Sequence, residues 1–192
     1  MKILPSGRNR LDRGCATQHS ELMESISDIT AAKAKLREKL RFRRRHFTAN
    51  LDGMAALSAF RTLPAPLHEL LIQVSPIVSA YAPSGGEPDI LPLMREHVTD
   101  GHLAMPFHAQ RDEWMEFRLW NSSDALEQGP WRTKQPPAKS PPADPAVMLC
   151  PLLGFDRSGG RLGQGGGHYD RYFSRHPHAL RIGISWSIQE LD

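Results

Sequence analysis

Arg161-Leu162-Gly163-Gln164-Gly165-Gly166-Gly167-His168-Tyr169-Asp170-Arg171 gathers the residue types that handle phosphate. Four glycines fall within positions 163–167, a carboxylate follows three residues later, and an arginine stands at each end. Glycine permits positive φ and puts no Cβ in the way of a ligand. Successive backbone N–H groups can then curve around an anion. Planar guanidinium forks match phosphate oxygens, and Asp170 could hold magnesium beside them. The stretch reads as a polyphosphate cradle, most simply a nucleotide site. The competing reading is a glycine-rich turn that only lets a helix pack closely.

Two common nucleotide motifs are excluded. A Walker A loop needs Gly-Lys followed by Ser or Thr, a step absent from this stretch. A dinucleotide fingerprint needs Gly-x-Gly-x-x-Gly opening a helix after the first strand. Counted from Gly163, its third glycine falls on His168, and the loop lies late in the chain.

The elements around the loop follow from periodicity. Residues 1–26, with Pro5, Gly7 and Gly14, read as an irregular extension, and 27–192 as one α/β domain. A helix capped at Ser27 or Asp28 carries Ile29, Leu36, Leu40 and Phe47 at helical spacing. Its polar face holds Lys33, Lys35, Arg37, Lys39, Arg41, Arg43, Arg44 and Arg45. Further helices are predicted over 51–61, 66–74 and 89–97, the last with Ile90, Leu93, Met94 and His97 on one face. Strands are predicted over 77–81, 103–106, 115–119, 147–152 and 179–186. The proline-rich residues 129–146 read as a surface connection. A turn at 156–159 leads to the glycine loop, and a short helix runs from His168 to about Arg175. Strands alternating with helices imply a mostly parallel sheet. Ligands bind outside the carboxyl ends of such strands, and the loop follows the 147–152 strand. Gly165, Gly166 and Gly167 would also lie at a helix N-terminus, where the dipole favours anions.

Composition agrees with this class. The chain has 192 residues, 40% of them hydrophobic, enough for one core. No run approaches the roughly 18 apolar residues of a membrane span, and the N-terminus lacks a secretory signal's apolar core. Cys15 and Cys150 are the two cysteines, and a reduced, cytoplasmic protein is the expectation. Lys plus Arg number 24 against 21 Asp plus Glu, a mild excess concentrated on the first helix.

Leu149 through Phe173 resembles the signature of the 5-formyltetrahydrofolate cyclo-ligase (methenyltetrahydrofolate synthetase) family. Matching positions are Pro151, Phe155, Asp156, Arg161, Leu162, Gly163, Gly165, Gly167, Tyr169 and Asp170. Lys33-Ala34-Lys35-Leu36-Arg37 is similar to the family's Lys-x-x-Leu-Arg, and Tyr81-Ala82-Pro83 with Glu87 and Asp89 to its strand and acidic turn. The resemblance extends over about residues 31–190. It implies a three-layer α/β/α, Rossmann-like cyclo-ligase fold. It also implies ATP- and magnesium-dependent closure of 5-formyltetrahydrofolate to 5,10-methenyltetrahydrofolate through a phosphorylated formyl group.

The resemblance assigns roles to residues. Lys33 and Arg37 contact ATP phosphates; on spacing alone a solvated basic face is the simpler reading. Arg161 through Tyr169 form the nucleotide loop, with Arg161 and Asp170 catalytic and Asp170 the magnesium ligand. Asp170 also suits a plain first-turn acid. Ala82, Glu87 and Gln164 through His168 border the folate, with Glu87 accepting from the pterin ring or serving as a turn acid. Arg43, Arg44 and Arg45 form a solvated helix end or meet a polyglutamate tail. Trp131 packs on a ligand or anchors its loop. Cys150 packs inside its strand.

His168 replaces the family's tyrosine, Gln164 is also non-consensus, and the pattern leads to expect a further segment after Asp192. A monomer acting on ATP and a reduced folate, with no nucleic-acid or membrane partner, is the expectation. The alternatives are a folate- or nucleotide-binding homologue without turnover, and an RNA-binding module built on the 33–45 helix. That helix lacks the interleaved aromatics of a stacking platform.

Overall fold

A computed structural model describes residues 12–74, 77–97, 101–121 and 123–191. In order they form α1 (Asp12–Ala49), α2 (Gly53–Ser58), α3 (Ala65–Val74), β1 (Val78–Ser79) and α4 (Leu91–His97). β2 (Leu103–Phe107), β3 (Glu116–Leu119), β4 (Glu127–Gln128), β5 (Lys134–Gln135) and β6 (Val147–Pro151) follow. The chain continues through β7 (Gly154–Phe155), β8 (Arg161–Leu162), α5 (His168–Arg175) and β9 (Leu180–Ile184).

The central sheet has the order β3-β2-β1-β6-β9. β2, β1, β6 and β9 are parallel, and β3 joins the β2 edge antiparallel. Period-two alternation sends Val147 and Leu149 to one face of β6, and Met148 and Cys150 to the other. The first face packs under Leu71 of α3 and Leu91, Leu93 and Met94 of α4. The second packs under Tyr172 and Phe173 of α5. Helices therefore cover both faces, as the mixed α/β expectation requires.

Four expectations need correction. The stretch read as irregular is helical from Asp12 onward. Residues 16–24 hold neither proline nor glycine, and extending a formed helix adds one hydrogen bond for each residue fixed. Pro5 and Gly7 lie outside the described residues, as does the side chain of His97. Ile29, placed on the core face, is exposed, whereas Leu40 is fully buried against the main body. Finally, the proline-rich connection contains structure: β4 and β5 pair as a hairpin whose tip is a 3-10 turn at Pro130–Arg132. Prolines flank its pairing residues without occupying them. α2 is also shorter than expected at both ends: Asp52 caps its start, accepting from Met54 N and Ala55 N at 3.0 Å, and the chain turns extended at Ala59 with Phe60 at φ 55°.

Cys150 is a free, buried thiol pushed up to about 12 by burial. Among the described residues no helix is long and apolar enough to cross a membrane.

Candidate functional site

The site is assembled where the carboxyl ends of the parallel strands meet one face of α1. The segments after β1, β2 and β6 all emerge at that end. The α1 face carries Arg37, Arg41, Arg44 and Thr48, spaced four, three and four residues apart on one helical stripe.

The three arginines of that stripe hold the loops of the site. Arg37 Nε donates to Gly163 O at 3.1 Å. Arg41 donates from Nε to Gln164 Oε1 at 3.0 Å and from Nη2 to Gln164 O at 2.9 Å. Arg44 donates to Gly85 O at 3.1 Å and to Leu152 O at 3.3 Å. Burial holds the Arg44 pKa below its ordinary value against the opposing pull of the nearby Glu87 carboxylate. The expectation of a solvated helix end or a polyglutamate contact at Arg43, Arg44 and Arg45 does not fit Arg44, which is buried while Arg43 and Arg45 are exposed. Lys33 is exposed, one turn before Arg37.

The acidic turn after β1 is tightly held. Gly85 and Gly86 take φ of 53° and 82°. Trp186 Nε1 donates to Gly86 O at 2.9 Å, and Tyr81 Oη to Pro88 O at 3.0 Å. Glu87 Oε2 accepts from Ser84 N at 3.1 Å. Glu87 Oε1 lies 3.5 Å from both Arg44 Nη1 and Gln164 Nε2. The predicted substrate residues Glu87 and Gln164 are thus neighbours, although 77 positions apart. Ala82 is half-buried against the core between β1 and this turn.

The glycine loop is entered through β7 and β8, a two-residue hairpin too short for periodicity to reveal. Asp156 Oδ1 accepts from Ser158 N and Gly160 N, both at 2.9 Å, and so shapes its turn. Gly165 and Gly167 take φ of 110° and 65°, and Gly167 caps α5. Gly166 makes room for a neighbouring ring: a Cβ there would lie 2.6 Å from His168 Nε2 and force the ring to move. A Cβ on Gly163 would meet nothing within 4 Å, so that part of the loop is open.

Beyond the loop, Arg161 Nη2 donates to Asp170 Oδ1 at 2.5 Å. The Asp170 side chain is 76% exposed. Tyr169 turns inward beneath Arg161, 5.4 Å from its guanidinium carbon, and toward Phe117. Its buried hydroxyl has no hydrogen-bond partner, and burial raises its pKa well above the ordinary value. Leu162 O accepts from Leu153 N at 2.8 Å, bracing the loop's entry.

An aromatic cluster closes the other side. The His168 ring lies 4.8 Å from Trp131 and 4.6 Å from His108, and those two are 4.9 Å apart. Trp131 and Arg132 at the hairpin tip take φ of 56° and 61°, a conformation costing about 1–2 kcal/mol for each side chain. Burial, then the Arg171 charge, lowers the His168 pKa. His108 immediately follows β2, and Gln135 secures it: His108 N donates to Gln135 Oε1 and Gln135 Nε2 to His108 O, both at 3.1 Å. His108 and Gln135 are not singled out by the sequence, and Arg41 and Arg44 are legible there only as members of a basic helix face. The stripe spacing on α1 and the strand-end position of His108 were the available signals.

The profile described as the 5-formyltetrahydrofolate cyclo-ligase family matches residues 29–185. The chain belongs to that family. Over 106 residues it is 32% identical to a 5-formyltetrahydrofolate cyclo-ligase of Mycolicibacterium smegmatis, covering 49% of this chain and 53% of the relative. The chain thus spans about half the length of the curated relative it matches. Two solved structures share the cyclo-ligase fold. The 5,10-methenyltetrahydrofolate synthetase of Aquifex aeolicus superposes with a TM-score of 0.57 at 24% identity, covering 81% of this chain and 80% of that one. That of Mycoplasma pneumoniae gives 0.56 at 21% identity, covering 83% and 88%.

Proposed function

We propose that this chain closes 5-formyltetrahydrofolate to 5,10-methenyltetrahydrofolate, with ATP converted to ADP and phosphate. The observation that carries this reading is the glycine loop gripped by Arg37 and Arg41, with Arg161 and Asp170 at its end, in a chain of the cyclo-ligase family.

The chemistry needs such a site. The oxygen of an N-formyl group is a poor leaving group. Attack of that oxygen on the γ-phosphorus breaks the bond to ADP and leaves the formyl carbon electrophilic. The second folate nitrogen then attacks the carbon, the carbon–oxygen bond breaks, phosphate leaves, and the nitrogen releases its proton. Phosphoryl transfer is catalysed by positioning and charge stabilisation. The loop N–H groups with Lys33, Arg37 and Arg161 supply donors and positive charge. Arg37 and Arg41 also fix the loop in advance, so little reorganisation is needed on binding.

Magnesium, when bound, would offset phosphate charge. It commonly uses one or two carboxylates with phosphate oxygens and water. Asp170 suits that role because Arg161 engages Oδ1 while the side chain remains largely exposed. On the folate side, Glu87 would accept from pterin donors. Its contacts with Gln164 and Arg44, both 3.5 Å, are the longest it makes.

The test is absorbance of methenyltetrahydrofolate formed by purified protein with 5-formyltetrahydrofolate, ATP and magnesium. Product dependent on all three supports the reading. Folate binding without product at high protein concentration overturns it in favour of a non-catalytic homologue.

A further inference from the structure

His168 stands where the family pattern places tyrosine, and its ring is held from three sides. Trp131 and His108 pack against it at 4.8 and 4.6 Å. The third contact is polar: Arg171 Nη2 lies 3.1 Å from His168 Nδ1. The two residues are three apart on α5, one turn along the same face.

A guanidinium carries only donors. Nδ1 must therefore accept from Arg171, and a hydrogen on Nδ1 would point at another hydrogen. The ring proton then resides on Nε2. That nitrogen lies over the glycine loop, 2.6 Å from the place a Gly166 Cβ would occupy. The same guanidinium reaches back over the cap, with Nη1 3.1 Å from the Cβ position of Gly167.

We propose that Arg171 is a positioning residue that locks His168 in the Nε2–H tautomer, so that the ring presents one neutral N–H donor above Gly166 to a ligand oxygen on the loop. The ligand class is an anionic phosphoryl oxygen, which rests on the function proposed above. A tyrosine at this position carries its donor hydroxyl without help. A histidine offers either nitrogen as donor and needs a neighbour to choose. Trp131 and His108 fix the ring plane; Arg171 fixes the proton.

The test has two arms. In the first, two-bond proton–nitrogen correlation NMR on histidine-labelled full-length protein reads the His168 tautomer. The Nε2–H pattern is expected in the unaltered protein, with loss of that preference in Arg171→Met. An Nδ1–H pattern, or a preference unchanged in Arg171→Met, overturns the proposal. In the second, Arg171→Met is expected to lower kcat about tenfold, the effect of one hydrogen bond to a charged group, with KM for ATP little changed. In a His168→Tyr background the same substitution should change kcat less than twofold. Equal losses in both backgrounds would mean that Arg171 acts structurally, contradicting the proposal. If the protein forms no methenyltetrahydrofolate at all, the function reading fails while the NMR arm still decides the tautomer.

Discussion

Arg44 Nη1 lies 3.5 Å from Glu87 Oε1, and the two side chains are only 3% and 6% exposed. This buried ion pair fastens the helix with the basic run to the acidic turn after β1. Breaking such a pair from one side leaves an uncompensated charge, at a cost of about 3–5 kcal/mol. Arg44→Met should therefore lower unfolding stability in urea by about that much. Arg44→Met combined with Glu87→Met should recover part of the loss. A double variant less stable than Arg44→Met would contradict the pairing.

His108 gives the stability a pH dependence. Burial, then the neighbouring His168, push its pKa down to about 4; a hydrogen bond with the Glu113 backbone pulls upward, and the Arg171 charge adds a still smaller downward push. The unfolded chain has an ordinary imidazole near pH 6.5, so below that pH it takes a proton that the folded protein refuses. Stability from this group is full above about pH 6.5 and falls as pH drops toward 4. The urea midpoint should decrease over that window, and His108→Asn should decrease less. Parallel curves would remove His108 as the cause.

Gln135 bridges the main chain of His108 from the β4–β5 hairpin, and Gly129 leaves room for it. A Cβ at Gly129 would lie 2.1 Å from Gln135 Oε1. Gln135→Leu leaves a buried N–H and C=O unpaired and should cost about 1–3 kcal/mol for each group. Gly129→Ala should displace the bridge and change Trp131 fluorescence. An unaltered spectrum with unaltered stability would show that the hairpin is held otherwise.

Asp170→Ala separates catalysis from folding. Turnover should fall by at least about a hundredfold, the scale of losing one transition-state electrostatic contact. Binding of 5-formyltetrahydrofolate without ATP, followed by calorimetry, should change little. Equal loss of both would make Asp170 a structural partner of Arg161.

Legibility in the sequence followed the range of the forces involved. α5 begins at His168 and ends at Arg175 as expected, because the preceding glycines and the amphipathic turn are local signals. The strand at 147–151 was legible because burial on both faces demands a continuous apolar run. Arg44 was misread because its burial depends on Glu87, 43 positions away. The hairpin around Trp131 was hidden for the same reason: Gln135 is secured by His108 main-chain groups 27 positions earlier. β7 and β8, at two residues each, carry too few positions to show any period.

The most direct measurement follows the formyl oxygen. 5-Formyltetrahydrofolate carrying oxygen-18 in its formyl group is incubated with the protein, ATP and magnesium. The account predicts one ADP for each methenyltetrahydrofolate formed, with the label in the released phosphate. Product formed with the label in water, or bound folate with neither product nor labelled phosphate, would contradict it.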